Sequence, residues 1–364
     1  MERKQKITKY LSRDGRGIEI GPWFNPIVPK RDGYATLIID VFDEETLRQR
    51  AISDPNVPAE RVRDIEPVDL LGSSSELEAL VERAGLLGQM DFIVSSHNVE
   101  HIPDLLKFLQ GCAKVLKDGG TLSMAVPDKR GCFDYFRPNS SLADVLEANQ
   151  QHRSKPSFGQ MFEHESLYAK QYLDGKPTSG FSTGVDPMSI FPSGDLKHVY
   201  DVWRSRLAQS PDQYFDVHCW VFTPASFERL VSELSFLGLI ELELIEVEAG
   251  AGEFYVHLRH NSSHSRQAPE VFAKRRIELL RREQDEACVA SLRYSVMLGT
   301  TQGRVGEEDE RLTLLRSELD VLMQERALLK SAVEEYRQST SWRITAPLRA
   351  LASRGRRMLA GRHG

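Results

Sequence analysis

The sequence predicts an α/β protein built on a doubly wound, Rossmann-like sheet. Three observations carry that prediction. Short apolar runs alternate with amphipathic helical segments from Gly17 to Leu258. The stretch from Asp91 to Arg130 reads as one complete strand–helix–strand unit. Both of its strands run into polar turns, at the edge where ligands bind in such sheets.

The elements follow in order. Gly17 to Ile20 is a short strand leading into the turn GPWFNPIVPK. Leu37 to Val41 is a second strand, with Asp40 at its end, and Glu44 to Arg50 is helical. Asp54 to Glu60 carries two prolines and reads as a loop. Pro67 to Leu71 is a third strand with Asp69 at its edge, followed by a helix over Glu76 to Ala84. Phe92 to Val94 is an apolar run of the kind buried in a parallel sheet. Leu105, Leu106, Leu109, Cys112, Ala113 and Leu116 share one helical face, while Lys107, Gln110, Lys114 and Lys117 face away. Pro103 and Asp104 suit the first turn of that helix. Gly119-Gly120 are expected to end it by supplying a left-handed residue, and Leu122 to Val126 restart a strand.

From about residue 132 to 215, Pro, Ser, Gly and aromatic residues mix with charge. That is too long for a bare loop, and reads as an insertion with short helices covering the ligand edge. Thr223 caps a helix with Pro224 at its first position. Leu242 to Val247 and Phe254 to Leu258 then close the sheet. The domain is expected to span 15–259, after an N-terminal extension over 1–14. A polar helical linker is expected over 260–310.

The C-terminal part is of another kind. Leu312, Leu315, Leu319, Leu322, Arg326, Leu329, Val333 and Tyr336 recur in steps of three and four, predicting a coiled coil over 311–338. It offers a surface for self-association or for a partner protein. Residues 339–364 form a basic tail; from Arg337 onward there are seven arginines and no acidic residue. Interspersed Trp, Ile, Leu and Met make it an interfacial helix on anionic membrane or a disordered basic tail. No DNA-reading motif accompanies the charge, so nucleic acid is not an expected partner.

Composition narrows the class. The chain has 364 residues, 40% of them hydrophobic, enough for a sizeable core. No apolar run is long enough to span a bilayer. The start, MERKQKITKYLSRDGRG, is basic without an apolar h-region. The four cysteines are scattered, which fits reduced thiols of a cytoplasmic protein and no metal centre. There is no HExxH, Walker A loop or GxSxG, so the corresponding hydrolase chemistries lack support.

The first turn discriminates among ligands. A dinucleotide site needs GxGxxG so that backbone can approach a pyrophosphate. Here only Gly21 remains, with Pro22 and Trp23 following. That argues against NAD or FAD and favours a ligand without phosphates. With EIGPWFNPI at this turn stand Asp40, VDLL around Asp69, SSHNVEHIPD, LKDGG, PDKRGCFDYFRP and YFDVHCWVFTPASF. This ordered set resembles a class I S-adenosylmethionine-dependent methyltransferase. Within that superfamily it is similar to the methyltransferases found with bacterial cell-surface polysaccharide assembly. The resemblance covers roughly residues 15 to 259.

The resemblance implies roles. Glu19 and Gly21 would meet the methionyl end of S-adenosylmethionine, Asp40 the ribose diol and Asp69 the adenine. Ser96 and His97 would line the cofactor after the fourth strand. A sugar hydroxyl acceptor must lose a proton, and His101, Asp128 and His218 are the candidate bases. Lys129, Arg130 and Arg137 could hold an anionic acceptor such as a sugar nucleotide. The expected function is methyl transfer to a glycan or glycan precursor, in the cytoplasm or peripheral at the inner membrane. The competing readings are a non-catalytic methyltransferase-like adaptor that scaffolds glycan-assembly enzymes through its coiled coil, and a nicotinamide or nucleotide-sugar enzyme.

Overall fold

The computed structural model of the chain describes residues 2–173, 175–209, 213–263 and 267–302. The coiled coil expected over 311–338 and the basic tail over 339–364 lie outside the described residues. The chain divides into two compact units, Met1–Tyr172 with Pro177–Tyr294, and Leu173–Lys176 with Ser295–Gly364. The first contains the sheet and both cavities described below.

The strands are β1 (Arg16–Ile20), β2 (Ala35–Asp40), β3 (Leu70–Leu71), β4 (Met90–Ser96), β5 (Leu116–Pro127), β6 (Ala169–Leu173), β7 (Lys176–Thr178), β8 (Ile190–Pro192), β9 (Leu242–Ala249) and β10 (Glu253–His260). Seven of them form the main sheet, in the order β3-β2-β1-β4-β5-β10-β9. The first five run parallel, and β10 lies antiparallel to both β5 and β9. Strand order reverses beside β1, so the C-terminal ends of β1, β2 and β4 open onto one crevice. In the insertion, β8 pairs antiparallel with β6.

The helices are α1 (Arg3–Ile7), α2 (Glu44–Ser53), α3 (Leu77–Arg83), α4 (Leu105–Val115), α5 (Leu142–Gln150), α6 (Phe158–Ser166), α7 (Leu196–Gln209), α8 (Pro224–Phe236) and α9 (Pro269–Gln302). Their starts follow local chemistry. Asp43 accepts from the Thr46 amide at α2, Asp104 from that of Lys107 at α4, and Thr223 from that of Ser226 at α8. The expected apolar face of α4 is buried: Leu105, Leu109 and Cys112 are inaccessible and pack with Ile93, Leu122 and Leu230 in the main core. Gly17 is required by close approach, because a Cβ there would lie 2.1 Å from the Phe92 ring.

Three expectations are corrected. Gly119-Gly120 do not end α4. The helix stops at Val115, Leu116 already pairs with Met90, and residues 117–120 loop out of β5 before Thr121 pairs with Phe92. Gly119 supplies the left-handed residue of that bulge, at φ 79°. Residues 1–14 are no separate extension, for Ile7 is fully buried with Val28, Phe92, Val94 and Tyr255. The expected linker over 260–310 contains α9, whose first turns are part of the domain. Phe272 stacks on Phe236 at 3.8 Å, and Glu283 pairs with Arg229 at 2.8 Å.

Glu19 of β1 is 2% exposed and accepts from the amides of Ile27 (2.6 Å) and Val28 (3.0 Å). It ties the chain that follows the first turn back under the sheet. Burial raises its carboxyl from 4.5 to about 7, against those two amide bonds. Between these values the folded protein keeps a proton that the unfolded chain has released. Stability contributed by this group therefore falls as pH rises from 4.5 to 7 and is level above. The loss across the window amounts to about 3 kcal/mol. Denaturant midpoints should show wild type losing stability relative to Glu19→Gln, which stays neutral, as pH rises across the window; a constant gap would contradict this assignment.

Candidate active site

Two cavities adjoin at the C-terminal edge of the sheet. The first, about 870 Å³, is bounded by Val41 and Phe42 after β2, by Ser73 to Glu76, and by Asn98, His101 and Asp104 after β4. Asp40 ends β2 at this edge. Its carboxylate accepts from the Phe42 amide at 3.1 Å. Burial pushes its carboxyl up, opposed by the Phe42 and Val41 amides and the Arg50 charge. A carboxylate with such spare acceptor capacity can take two hydroxyl donors at once. Gly21 has φ 56°, and no atom lies within 4 Å of where its Cβ would be, so backbone is open to a ligand there. These features fit the ribose and methionyl parts of S-adenosylmethionine.

The other expected cofactor contacts have partners within the chain. Glu19 lies beneath the turn, bound to Ile27 and Val28 as above. Asp69 accepts from the Ile38 amide (2.7 Å) and pairs with Lys30 (2.6 Å), so it secures β2 rather than meeting adenine. Ser73, Ser74, Ser75 and Glu76 line the cavity there instead. Ser96 accepts from Arg3 at 2.8 Å. His97 adopts φ 49°, which is rare for a residue with a Cβ. Its Nε2 lies 2.8 Å from Glu253 and its Nδ1 3.5 Å from Glu100. Burial disfavours the charged ring, but the carboxylates of Glu100 and Glu253 prevail and raise it to about 9.

The second cavity, about 530 Å³, has His97, Glu100, His101, Phe133, His218 and Tyr255 in its walls. His101 borders both cavities. Glu100 is 1% exposed, and neither carboxylate oxygen has a hydrogen-bond partner. Burial alone would raise its carboxyl. The neighbouring His97 ring and the charges of His218, His97 and His101 reverse this, and the net shift is downward. His101 Nδ1 lies 2.8 Å from Asp216, and His218 Nδ1 lies 2.5 Å from Asp134. An ionised carboxylate only accepts, so both rings donate through Nδ1 and turn Nε2 toward Glu100. His164 stands behind His218, and burial lowers it to about 4.

The structure thus brings together three quoted motifs. The Cys219 amide donates to the Glu100 carbonyl (2.6 Å), and the Trp220 indole donates to that of Ile102 (2.5 Å). Phe222 bridges to Asp128. Asp128 is not placed as a base: it is 1% exposed, starts the 3-10 turn Lys129–Gly131 and is held by Arg130 at 2.6 and 2.9 Å. Arg130 is thereby committed. Arg137 is also unavailable to an acceptor, being 1% exposed and bound to Asp134, Glu163 and the His218 carbonyl. Lys129 makes no ion pair among the described residues, and burial lowers its ammonium against the charges of Asp134 and Asp128. Sequence reasoning passed over Glu100, Asp134, Asp216 and Glu253 as functional residues; the one local signal was Glu100 beside His101.

A crevice of this kind, beside a carboxylate with spare acceptor capacity and without a phosphate loop, fits a Rossmann-like nucleoside-binding domain. Residues 4–236 match the family described as Methyltransferase domain, and the chain belongs to it. S-adenosylmethionine is its methyl donor. No curated protein matches the chain. Among solved structures it is similar to a methyltransferase from Methanosarcina mazei, with 13% identity, 70% of this chain and 96% of that one covered, and a TM-score of 0.34. Another, from Aquifex aeolicus, shows 12% identity, 71% and 89% coverage and a TM-score of 0.34. The CcbJ methyltransferase from Streptomyces caelestis shows 11% identity, 71% and 97% coverage and 0.35. The assignment rests on the family match.

Removing the Asp40 carboxylate should weaken S-adenosylmethionine binding by about 10- to 100-fold, the worth of hydrogen bonds to a charged acceptor. Calorimetric titration of Asp40→Ala checks this. An unchanged affinity in a variant that melts like wild type would contradict the placement of the ribose.

Proposed function

We propose that the chain transfers the methyl group of S-adenosylmethionine to a hydroxyl of a cell-surface glycan or glycan precursor. The observation that carries this reading is His101, which borders both cavities and is held by Asp216. Bound S-adenosylmethionine supplies an electrophilic methyl on a sulfonium. Asp40 would orient its ribose so that the methyl leaves the first cavity toward the second. In-line attack requires the acceptor oxygen on that line, with water excluded. An alcohol is a poor nucleophile until its proton is drawn off. The Glu100–His101–His218 cluster provides for that at the cavity wall, whereas an amine or thiol acceptor would need less. Phe133, stacked on Tyr168 at 4.6 Å, offers an aromatic flank for a sugar ring.

The glycan class is supported by the resemblance to methyltransferases of polysaccharide assembly. The heptad seam over 311–338 supports self-association or docking to a glycosyltransferase, and the arginines of 339–364 support approach to an anionic membrane surface. Among the described residues no helix is long and apolar enough to cross a membrane.

Envelope glycans from strains with and without this chain decide the acceptor. The expected difference is loss of an O-methyl sugar from the deleted strain, restored by the wild-type chain. A His101→Ala chain should restore it poorly, with turnover reduced about 10²- to 10⁴-fold and S-adenosylmethionine affinity kept. Identical glycan methylation in the two strains would overturn the proposal.

A further inference from the structure

We propose that Glu100, His101 and His218 bind a divalent transition-metal ion of the zinc class on the acceptor side of the site. One ligand atom from each of the three residues lies within 4.8 Å of the other two. Both Nε2 atoms stand 3.9 Å from Glu100 Oε1, and the two imidazole planes cross at 89° with centroids 4.8 Å apart. Two ligands of a tetrahedral ion at about 2.1 Å lie about 3.4 Å apart, so each imidazole closes on Glu100 by about 0.5 Å and no ligand pair needs more than about 1.4 Å.

Two independent features point to an ion. The first is the Glu100 carboxylate, 1% exposed, with both oxygens lacking a hydrogen-bond partner. Such a group is costly unless cations sit against it; His97 stands 3.5 Å away on one side, and the side facing His101 and His218 makes no hydrogen bond. The second is the outer arrangement. Each imidazole gives Nδ1–H to its own carboxylate, Asp216 for His101 and Asp134 for His218, leaving Nε2 free to ligate. Arg137, buried and bonded to Asp134 at 2.8 Å, fixes that carboxylate in turn. Chain connectivity holds the three ligands together, because the Cys219 amide donates to the Glu100 carbonyl. Two imidazoles and one carboxylate suit Zn²⁺, Fe²⁺ or Co²⁺, whereas Mg²⁺ prefers oxygen ligands alone.

The ion's role, though not its binding, rests on the methyl-transfer reading. Three protein ligands leave a position open toward the second cavity. An acceptor hydroxyl in that position loses its proton to water more readily. Its oxygen pair then forms the O–CH3 bond while the C–S bond breaks, its electron pair going to sulfur; the metal's oxidation state does not change.

The full chain, stripped with a chelator and titrated with Co²⁺ alone, tests the site. One equivalent should bind, with the visible absorption of a four- or five-coordinate ion. Zn²⁺ should displace it and millimolar Mg²⁺ should not. His101→Ala, His218→Ala and Glu100→Gln should each weaken binding about 100-fold or more, with His164→Ala binding as wild type. No saturable uptake, or uptake unchanged in the His101→Ala and His218→Ala variants, would overturn the proposal. Should Glu100→Gln fail to fold, the two histidine variants decide. The absorption is read without methyl donor or acceptor, so failure here is distinct from failure of the methyl-transfer reading.

Discussion

The β4 side of the crevice is organised around one buried carboxylate. Glu100 follows the fourth strand in a single 3-10 turn, at 1% exposure. A charge so placed must be balanced by what surrounds it. His97, His101 and His218 stand 3.5 to 3.9 Å from it, and each is oriented by a carboxylate of its own: Glu253, Asp216 or Asp134. The Glu100 carbonyl meanwhile receives the Cys219 amide, and so fastens the segment before α8 to the end of β4. Loosening that turn would scatter imidazoles drawn from distant parts of the chain.

The sheet explains why the cluster sits where it does. β1 and β4 lie side by side, with Gly17 letting Phe92 pack across the strand. Their ends therefore bring Gly21 and the 97–101 turn to the same crevice, with Asp40 one strand further out. Ligand recognition is divided along that edge. The β1–β2 side offers bare backbone and a carboxylate with spare acceptor capacity, suited to a neutral sugar diol. The β4–β5 side offers imidazoles and carboxylates in alternation, suited to proton or metal chemistry. His101 is the residue common to both cavities.

Much of the fold was legible because it depends on local signals. The capping residues Asp104 and Thr223, the apolar face of α4 and the strands around Ile18, Ile39 and Val94 follow from spacing and burial. Errors arose where a local signal had a non-local use. Gly119-Gly120 look like a helix stop, yet the pairing of Leu116 with Met90 comes first and turns them into a bulge. Asp69 and Arg137 carry the right chemistry for ligands, but partners elsewhere in the chain claim them. The site was legible as a place and less so as a mechanism. His218 meets Asp134 across 84 residues and His97 meets Glu253 across 156, and no spacing rule shows such pairs.

The central claim is that the methyl group leaves the cofactor cavity toward the Glu100 cluster. A crystal structure of the full chain with S-adenosylhomocysteine tests it most directly. The expected result is the ribose hydroxyls on Asp40 and the thioether sulfur facing His101 and the second cavity. A ligand held elsewhere on the sheet edge, or bound with its sulfur turned away from His101, would contradict it.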